Sequence, residues 1–463
     1  MTDAKRKRIW GWYFFDWASQ PYNTLLITFV FGPYVAEVLG DGTRAQAAWG
    51  YGVGAAGLVI AVLAPFLGAM ADRGGHRMRW IAAFSALYVI GSAGLWFAAP
   101  DDFDLVRTLF LFAIGLIGME FATIFTNAML PSLGTAREVG RISGTGWAFG
   151  YLGGLVALVV MLLFFAENGG GTTLIGQPPA FGLDAESREG TRFVGPFTAL
   201  WFIVFMIPFF LWVREPQGRD ALPLGAAARA AWPELKQTVR GLPKRPSLFS
   251  YLGASMLYRD ALNGFYVFGG IYAAGVLGWS VIDLGVFGIL AVITAAIFAW
   301  IGGWADSRFG PKPVIVICVL ILTALAIAIV GISREALMGV PVPEGSALPD
   351  IAFYVIGAGI GAAGGALQSA SRSMMCRQAP AAQMTEAFGL YALAGKATAF
   401  AAPLLIGAAT DITGSQQAGI SPLIALFLLS LVLLVWTKPN GAPDEWPIPP
   451  VPDPSPAGSR QPS

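Results

Sequence analysis

The sequence predicts an all-α integral membrane protein, with twelve transmembrane helices in two pseudo-symmetric six-helix bundles. Three observations carry this. Of the 463 residues, 56% are hydrophobic and 12% charged, with a mean hydropathy of +0.63; typical soluble domains are about 25% charged. The apolar runs reach the roughly 20 residues that crossing a bilayer requires. A polar hairpin, Leu67 to Trp80 (LGAMADRGGHRMRW), has an imperfect twin 234 positions later at Gly302 to Lys312. Each copy closes one apolar run and opens the next.

The elements follow in order. Lys5-Arg6-Lys7-Arg8 precedes an apolar segment running to about Leu39. A signal peptide has an apolar core of only about 7–15 residues, so this segment reads as a retained first helix. The spans fall at 10–38, 48–71, 79–99, 105–130, 141–165, 194–213, 248–276, 282–305, 312–332, 350–374, 385–410 and 419–437. With the N-terminus in the cytoplasm, 22 of the 29 lysines and arginines fall in cytoplasmic pieces. The outer loops then hold Arg44, Arg107, Arg188, Arg192 and Arg334, and Arg259 and Lys396 lie inside helices. An odd helix count would invert half of the loops and erase this positive-inside bias. Both termini are therefore expected in the cytoplasm, and a bacterial source would place the protein in the inner membrane.

The chain divides into an N-terminal bundle (1–213), a cytoplasmic linker (214–247), a C-terminal bundle (248–437) and a Pro-rich tail (438–463). Trp232 to Arg240 reads as a surface helix within the linker. The tail holds nine prolines and is expected to be disordered. Further echoes support a duplicated six-helix unit: Asp16-Trp17-Ala18 stands 244 positions before Asp260-Ala261-Leu262, and the Gly140-to-Gly150 segment 245 before Thr385 to Gly395. Two parallel halves of this kind place a binding site between them, near the bilayer midplane.

Composition also excludes. A net charge of +1 gives no field that would attract nucleic acid. Cys318 and Cys376 have no metal-ligand company, and His76 is the single histidine, which removes most zinc and His-based chemistry. No Gly-x-x-x-x-Gly-Lys phosphate loop is present. The expectation is a monomeric transporter without cofactor or metal, not an enzyme.

Several blocks carry a family resemblance. They are Gly11 to Ala18 (GWYFFDWA), Thr28 to Tyr34 (TFVFGPY), Gly150 to Gly154 (GYLGG), Phe268 to Tyr272 (FGGIY) and Phe388 to Thr398 (FGLYALAGKAT). The hairpins resemble those of the major facilitator superfamily, and the blocks resemble the vacuole effluxer family within it. That family is associated in fungi with amino-acid release from the vacuole. The resemblance spans about Ile9 to Trp436 and implies that helices 1, 4, 7 and 10 line a central cavity. It also implies that Asp72 caps helix 11 near Glu386, that Arg77 pairs with an acid, and that Asp306 meets helix 5 near Arg141. Gly68, Asp72, Arg73, Arg77, Arg141, Asp306, Arg308 and Glu386 are thus gating candidates. Ser307 and Pro311 interrupt the usual basic pattern of the second hairpin.

Ionisable groups inside a span cost about 2.5–3.5 kcal/mol each on insertion scales, so they face a cavity or a partner. Asp16, Gln20 and Asn23 share one face of helix 1, and Glu120, Thr123 and Asn127 one face of helix 4. Helix 7 carries Arg259, Asp260 and Asn263, and helix 10 Gln368 and Arg372. At about 1.5 Å per residue, Asp260 and Lys396 lie roughly 16–18 Å into their helices, near the midplane, and Asp16 about 9 Å in. The substrate or coupling-ion candidates are Asp16, Gln20, Asn23, Glu120, Asn127, Arg259, Asp260, Asn263, Gln368 and Lys396. A cationic Arg259 or Lys396 suits a carboxylate. Asp260 or Glu120 suits an ammonium group or a proton. The bland alternative is that Arg259–Asp260 and Glu120–Lys396 only hold the bundle together. The reading is a secondary transporter of an amino acid or related zwitterion or organic anion, with protons as a candidate coupling ion. A drug–proton antiporter or a non-transporting sensor is the alternative.

Overall fold

The computed structural model describes residues 2–40, 42–215, 222–279, 281–399, 401–442 and 446, and the side chains at 42–49, 271, 274, 275, 281 and 282 lie outside that description. Linker residues 216–221, the side chain of Arg44 and most of the tail thus fall outside it. The structure is nearly all helix. The spans are α1 (Asp3–Leu39), α2 (Gly42–Gly74), α3 (Arg77–Gly94), α4 (Leu105–Asn127), α5 (Ala136–Phe164) and α6 (Val194–Trp212) in the first half. The second half holds α7 (Pro246–Leu277), α8 (Val281–Phe309), α9 (Pro311–Val330), α10 (Leu348–Gln378), α11 (Met384–Ala397, then Ala401–Thr413) and α12 (Ser421–Leu434). Among the described residues, eleven helices are long and apolar enough to cross a membrane by length and composition. The twelfth is α7, whose 32 residues carry Arg259 and Asp260.

The duplication is visible in the packing. In the first half α1 packs on α5 and α6, α3 on α4 and α6, and α2 on α4. In the second, α7 packs on α11 and α12, α9 on α10 and α12, and α8 on α10, each pair displaced by six helices. Between the halves, α2 crosses α11 and α8 crosses α5. Both crossings need glycine. A Cβ on Gly68 would stand 2.5 Å from the Thr385 carbonyl oxygen, one on Gly389 2.5 Å from that of Ala64, and one on Gly144 2.5 Å from that of Ala299. The small side chains let backbones approach where dispersion must replace the hydrophobic effect.

Two helices are irregular at mid-depth. After Pro21, α1 continues as a π-helical segment over Tyr22–Phe29, a geometry frequent at functional sites. α11 breaks between Ala397 and Ala401.

The linker forms a helix over Leu224–Gly241 that packs Ala227 and Ala231 on Ala69 and Met70 of α2. The start of the tail packs rather than hanging free, although disorder was expected from Lys438 onward. Lys438 donates its backbone N–H to Ser247, and Trp446 is buried, donating to the Gln378 carbonyl at 2.8 Å beneath Arg245. Residues 443–445 and 447–463 lie outside the described residues.

Candidate functional site

Among the described residues, every hydrogen bond and ion pair that joins the halves lies between mid-depth and the end carrying the two hairpins. The deepest is Lys396 on α11 with Glu120 on α4, 2.7 Å apart. Their side chains keep 27% and 22% of their exposure, so the pair is reachable. Arg259 lies over the Tyr391 ring at 4.3 Å, donates to the Tyr391 carbonyl at 3.1 Å and presses on Gly395, beside Lys396. Asn263 and Tyr266 continue the Arg259 face of α7 and are exposed, with the Tyr266 hydroxyl set against Gly364 of α10. The exposed side chains of Asn263 and Tyr266 thus lie on the side of the charged pair away from the hairpins. At that far end the halves still touch, where the Phe29 ring would meet a Cβ on Gly288 of α8 at 3.1 Å.

Asp260 does not join this group. Adjacent residues on a helix point about 100° apart, so with Arg259 turned to Tyr391, Asp260 faces the break in α11. It is 4% exposed, accepts from the Ala402 N–H at 3.1 Å, and leaves Oδ1 without a partner. Thr398, at the end of the first segment of α11, has an unpartnered hydroxyl. Of the two pairs in the bland alternative, Glu120–Lys396 is formed and, among the described residues, Arg259–Asp260 is not.

Asp16 and Asn127, read from sequence with the substrate candidates, stand nearer the hairpins and meet Arg372 of α10. Arg372 is 3% exposed and reaches Asp16 at 2.9 Å, Asn127 at 3.3 Å, the Ser143 hydroxyl at 3.0 Å and the Ser143 carbonyl at 2.7 Å. Trp12 and Trp147 flank its guanidinium at 4.6 and 5.4 Å. Arg372, Ser143 and the two tryptophans were not among the sequence candidates. The available signal was Arg372 standing four residues from Gln368 on a cavity helix. Gln20 and Gln368 are half-buried, and Asn23 contacts the Met119 sulfur at 3.5 Å beside Glu120.

The hairpins differ. Asp72 accepts from the Thr385 and Glu386 N–H groups at 3.2 and 2.9 Å, and Arg77 ties it at 2.6 Å while donating to the Thr385 hydroxyl at 2.8 Å. A carboxylate at a helix N-terminus satisfies orphan donors and opposes the helix dipole. Arg73 turns away from the second half and pairs with Glu234 of the linker helix. Asp306 is fully buried against Gly140 of α5. Ser373 and Arg377 are its polar neighbours, Arg377 at 3.7 Å, and neither carboxylate oxygen makes a hydrogen bond of normal geometry. Arg141 and Arg308 are exposed and make no ion pair among the described residues.

Comparison with known proteins places the chain. The family described as Vacuole effluxer Atg22 like matches residues 43–444. The chain belongs to that family. An uncharacterized MFS-type transporter, YxiO of Bacillus subtilis, is 23% identical over 438 residues, covering 94% of this chain and 95% of its own. Autophagy-related protein 22 of Coccidioides immitis is 23% identical over 435 residues, covering 80% of this chain and 69% of its own. The human organic anion transporter MFSD10 has the same fold, with a TM-score of 0.67 at 16% identity over 94% of this chain and all of that one. The proton:xylose symporter XylE gives 0.64 at 14% identity over 96% and 98%. This chain is thus a multi-pass major facilitator transporter in the effluxer family.

Proposed function

We propose that this effluxer moves a small zwitterion, an amino acid or a close relative, by alternating access, with the hairpin end cytoplasmic and closed. The charge bias of the loops supports that sidedness. The observation that carries the reading is the Glu120–Lys396 pair. It joins opposite charges from the two halves at mid-depth, it stays partly exposed, and Arg259 adds a second cation beside it. A substrate carboxylate can take the place of Glu120 against Lys396 and Arg259, and its ammonium group can take the place of Lys396 against Glu120. Exchanging partners costs less than stranding either charge in a dry site. Asp260 is the proton-carrying group in this reading: it is a buried carboxyl at the break in α11, and one of its oxygens has no donor to satisfy it.

Counterflow of labelled amino acids into proteoliposomes tests the site. Glu120→Gln and Lys396→Met should each lower uptake about tenfold or more, as the loss of one charge-assisted contact implies. Asp260→Asn should keep counterflow but remove its response to a pH gradient. Wild-type uptake in both Glu120→Gln and Lys396→Met, at normal expression, would refute the site. If only an organic anion or an apolar cation exchanges, the substrate class is wrong and the alternating-access frame stands.

A further inference from the structure

The linker helix offers a surface that transport does not use. Its bundle side is built from Ala227, Ala231, Leu235 and Thr238, all buried. At about 100° per residue, Val239 and Trp232 occupy the next arc, about 20° apart, while Leu224 opens the helix on the bundle side. All three are exposed, Trp232 at 62%. Beyond them, at about 120° to 160°, follow Lys236, Arg229 and Arg240, also exposed, with Lys244 just past the helix end. None of these four cations makes an ion pair among the described residues, whereas Glu234 of the same helix is tied to Arg73. The remaining arc is Ala226, Ala230, Pro233 and Gln237. The depth of the helix is set by its neighbours. Its Ala227 and Ala231 pack on Ala69 and Met70, near the hairpin end of the apolar stretch of α2, in a cluster that Phe66 and Trp80 border, while Leu222 donates its N–H to the Arg73 carbonyl at 3.1 Å. The hairpin end of α2 and the start of α3 are where a span leaves the acyl chains for the headgroups.

We propose that this helix is a docking surface for the anionic phospholipids of the hairpin-side leaflet. Its arcs meet, in turn, the bundle, the acyl layer, the headgroups and water. An apolar strip bordered by unpaired cations fits a layer that is apolar below and negative at its surface. A protein partner would have to reach Trp232 and Val239 at a depth already occupied by lipid. The helix also grips the first hairpin through Arg73–Glu234, and Glu215 of the preceding linker receives the Met78 N–H at 3.4 Å. Lipid charge therefore bears on the hairpin that closes α2 against α11.

The test uses the full-length protein with Cys318 and Cys376 replaced by serine and a spin label at Trp232→Cys. Collision rates with oxygen and with a nickel chelate are read in phosphatidylcholine vesicles with and without phosphatidylglycerol. A label at Val239→Cys repeats the measurement should the first variant fail to fold. The expected result is a shift towards oxygen and away from nickel when the anionic lipid is present. High salt, or Arg229→Glu with Lys236→Glu and Arg240→Glu, should reverse that shift. A label equally open to nickel in both vesicles would overturn the proposal, because the face would then be bathed in water. A label shielded from both reagents in both vesicles would overturn it too, because protein would then cover the face.

Discussion

The two hairpins are copies of one motif, yet one is tied to its partner helix by three short polar contacts and the other is merely buried against it. The cause lies in the helices they meet. α5 caps itself. Thr135 accepts from the Glu138 N–H at 3.4 Å, and Glu138 reaches back to the Thr135 N–H at 2.8 Å, a reciprocal capping box. α11 starts with the same Glu at the third position, Glu386, but with Gln383 where α5 has Thr135, and Gln383 caps nothing. Its orphan donors fall to Asp72 from the other half. Asp306 finds no donors left on α5 and sits against Gly140 instead. One clasp and one packing contact therefore replace a symmetric pair of clasps.

Removing Arg372 should have the largest effect, because Arg372 ties the halves together independently of both hairpins. Arg372→Gln strands Asp16, and breaking a buried ion pair costs about 3–5 kcal/mol. Thermal unfolding in detergent should show a large loss, and Asp16→Asn in the same chain should recover part of it. If Arg372→Gln unfolds like wild type, the hairpins alone close that end. The next effect sharpens the comparison directly. Gln383→Ser gives α11 a capping box of its own, so the penalty of Asp72→Asn should shrink by about 1 kcal/mol, the usual worth of an N-cap. A double-mutant cycle by thermal unfolding measures the coupling, and additive effects would mean that Asp72 does not act as a cap. The smallest effect is expected from Arg73→Ala. It frees Glu234 of the linker helix at about 0–1 kcal/mol, typical of a part-exposed pair, and cleavage by added protease at the linker should rise with little change in unfolding temperature.

Much of this was legible in the sequence, and the physical reasons differ by feature. The spans were readable because lipid demands long apolar runs and the bias of lysine and arginine between alternate loops marks their ends. Glu120 and Lys396 stood out because a charge at mid-depth has few alternatives to a partner or water. Arg372 hid because a cation in the last turn of a span looks like any other cytoplasmic-side charge, and Asp16, its partner, is 356 positions away. Asp260 was grouped with its neighbour Arg259 because adjacency in sequence gives no sign that the two face different helices. The break in α11 was masked by Ala, Gly and Thr, which neither demand nor forbid a helix there. The hairpin asymmetry was present in the sequence as Thr135-Ala136-Arg137-Glu138 against Gln383-Met384-Thr385-Glu386. Reading it required knowing which helix ends face the hairpins, which only the packing of the two halves supplies.

The asymmetry between the hairpins predicts that Asp72 holds the hairpin end closed and that Asp306 does not. Spin-label distances between the ends of α2 and α11, measured in nanodiscs for Asp72→Asn, Asp306→Asn and the parent protein, test this most directly. The expected result is a second, longer distance population in Asp72→Asn and a single short population, as in the parent, in Asp306→Asn. Equal widening in both variants, or in Asp306→Asn alone, would contradict it.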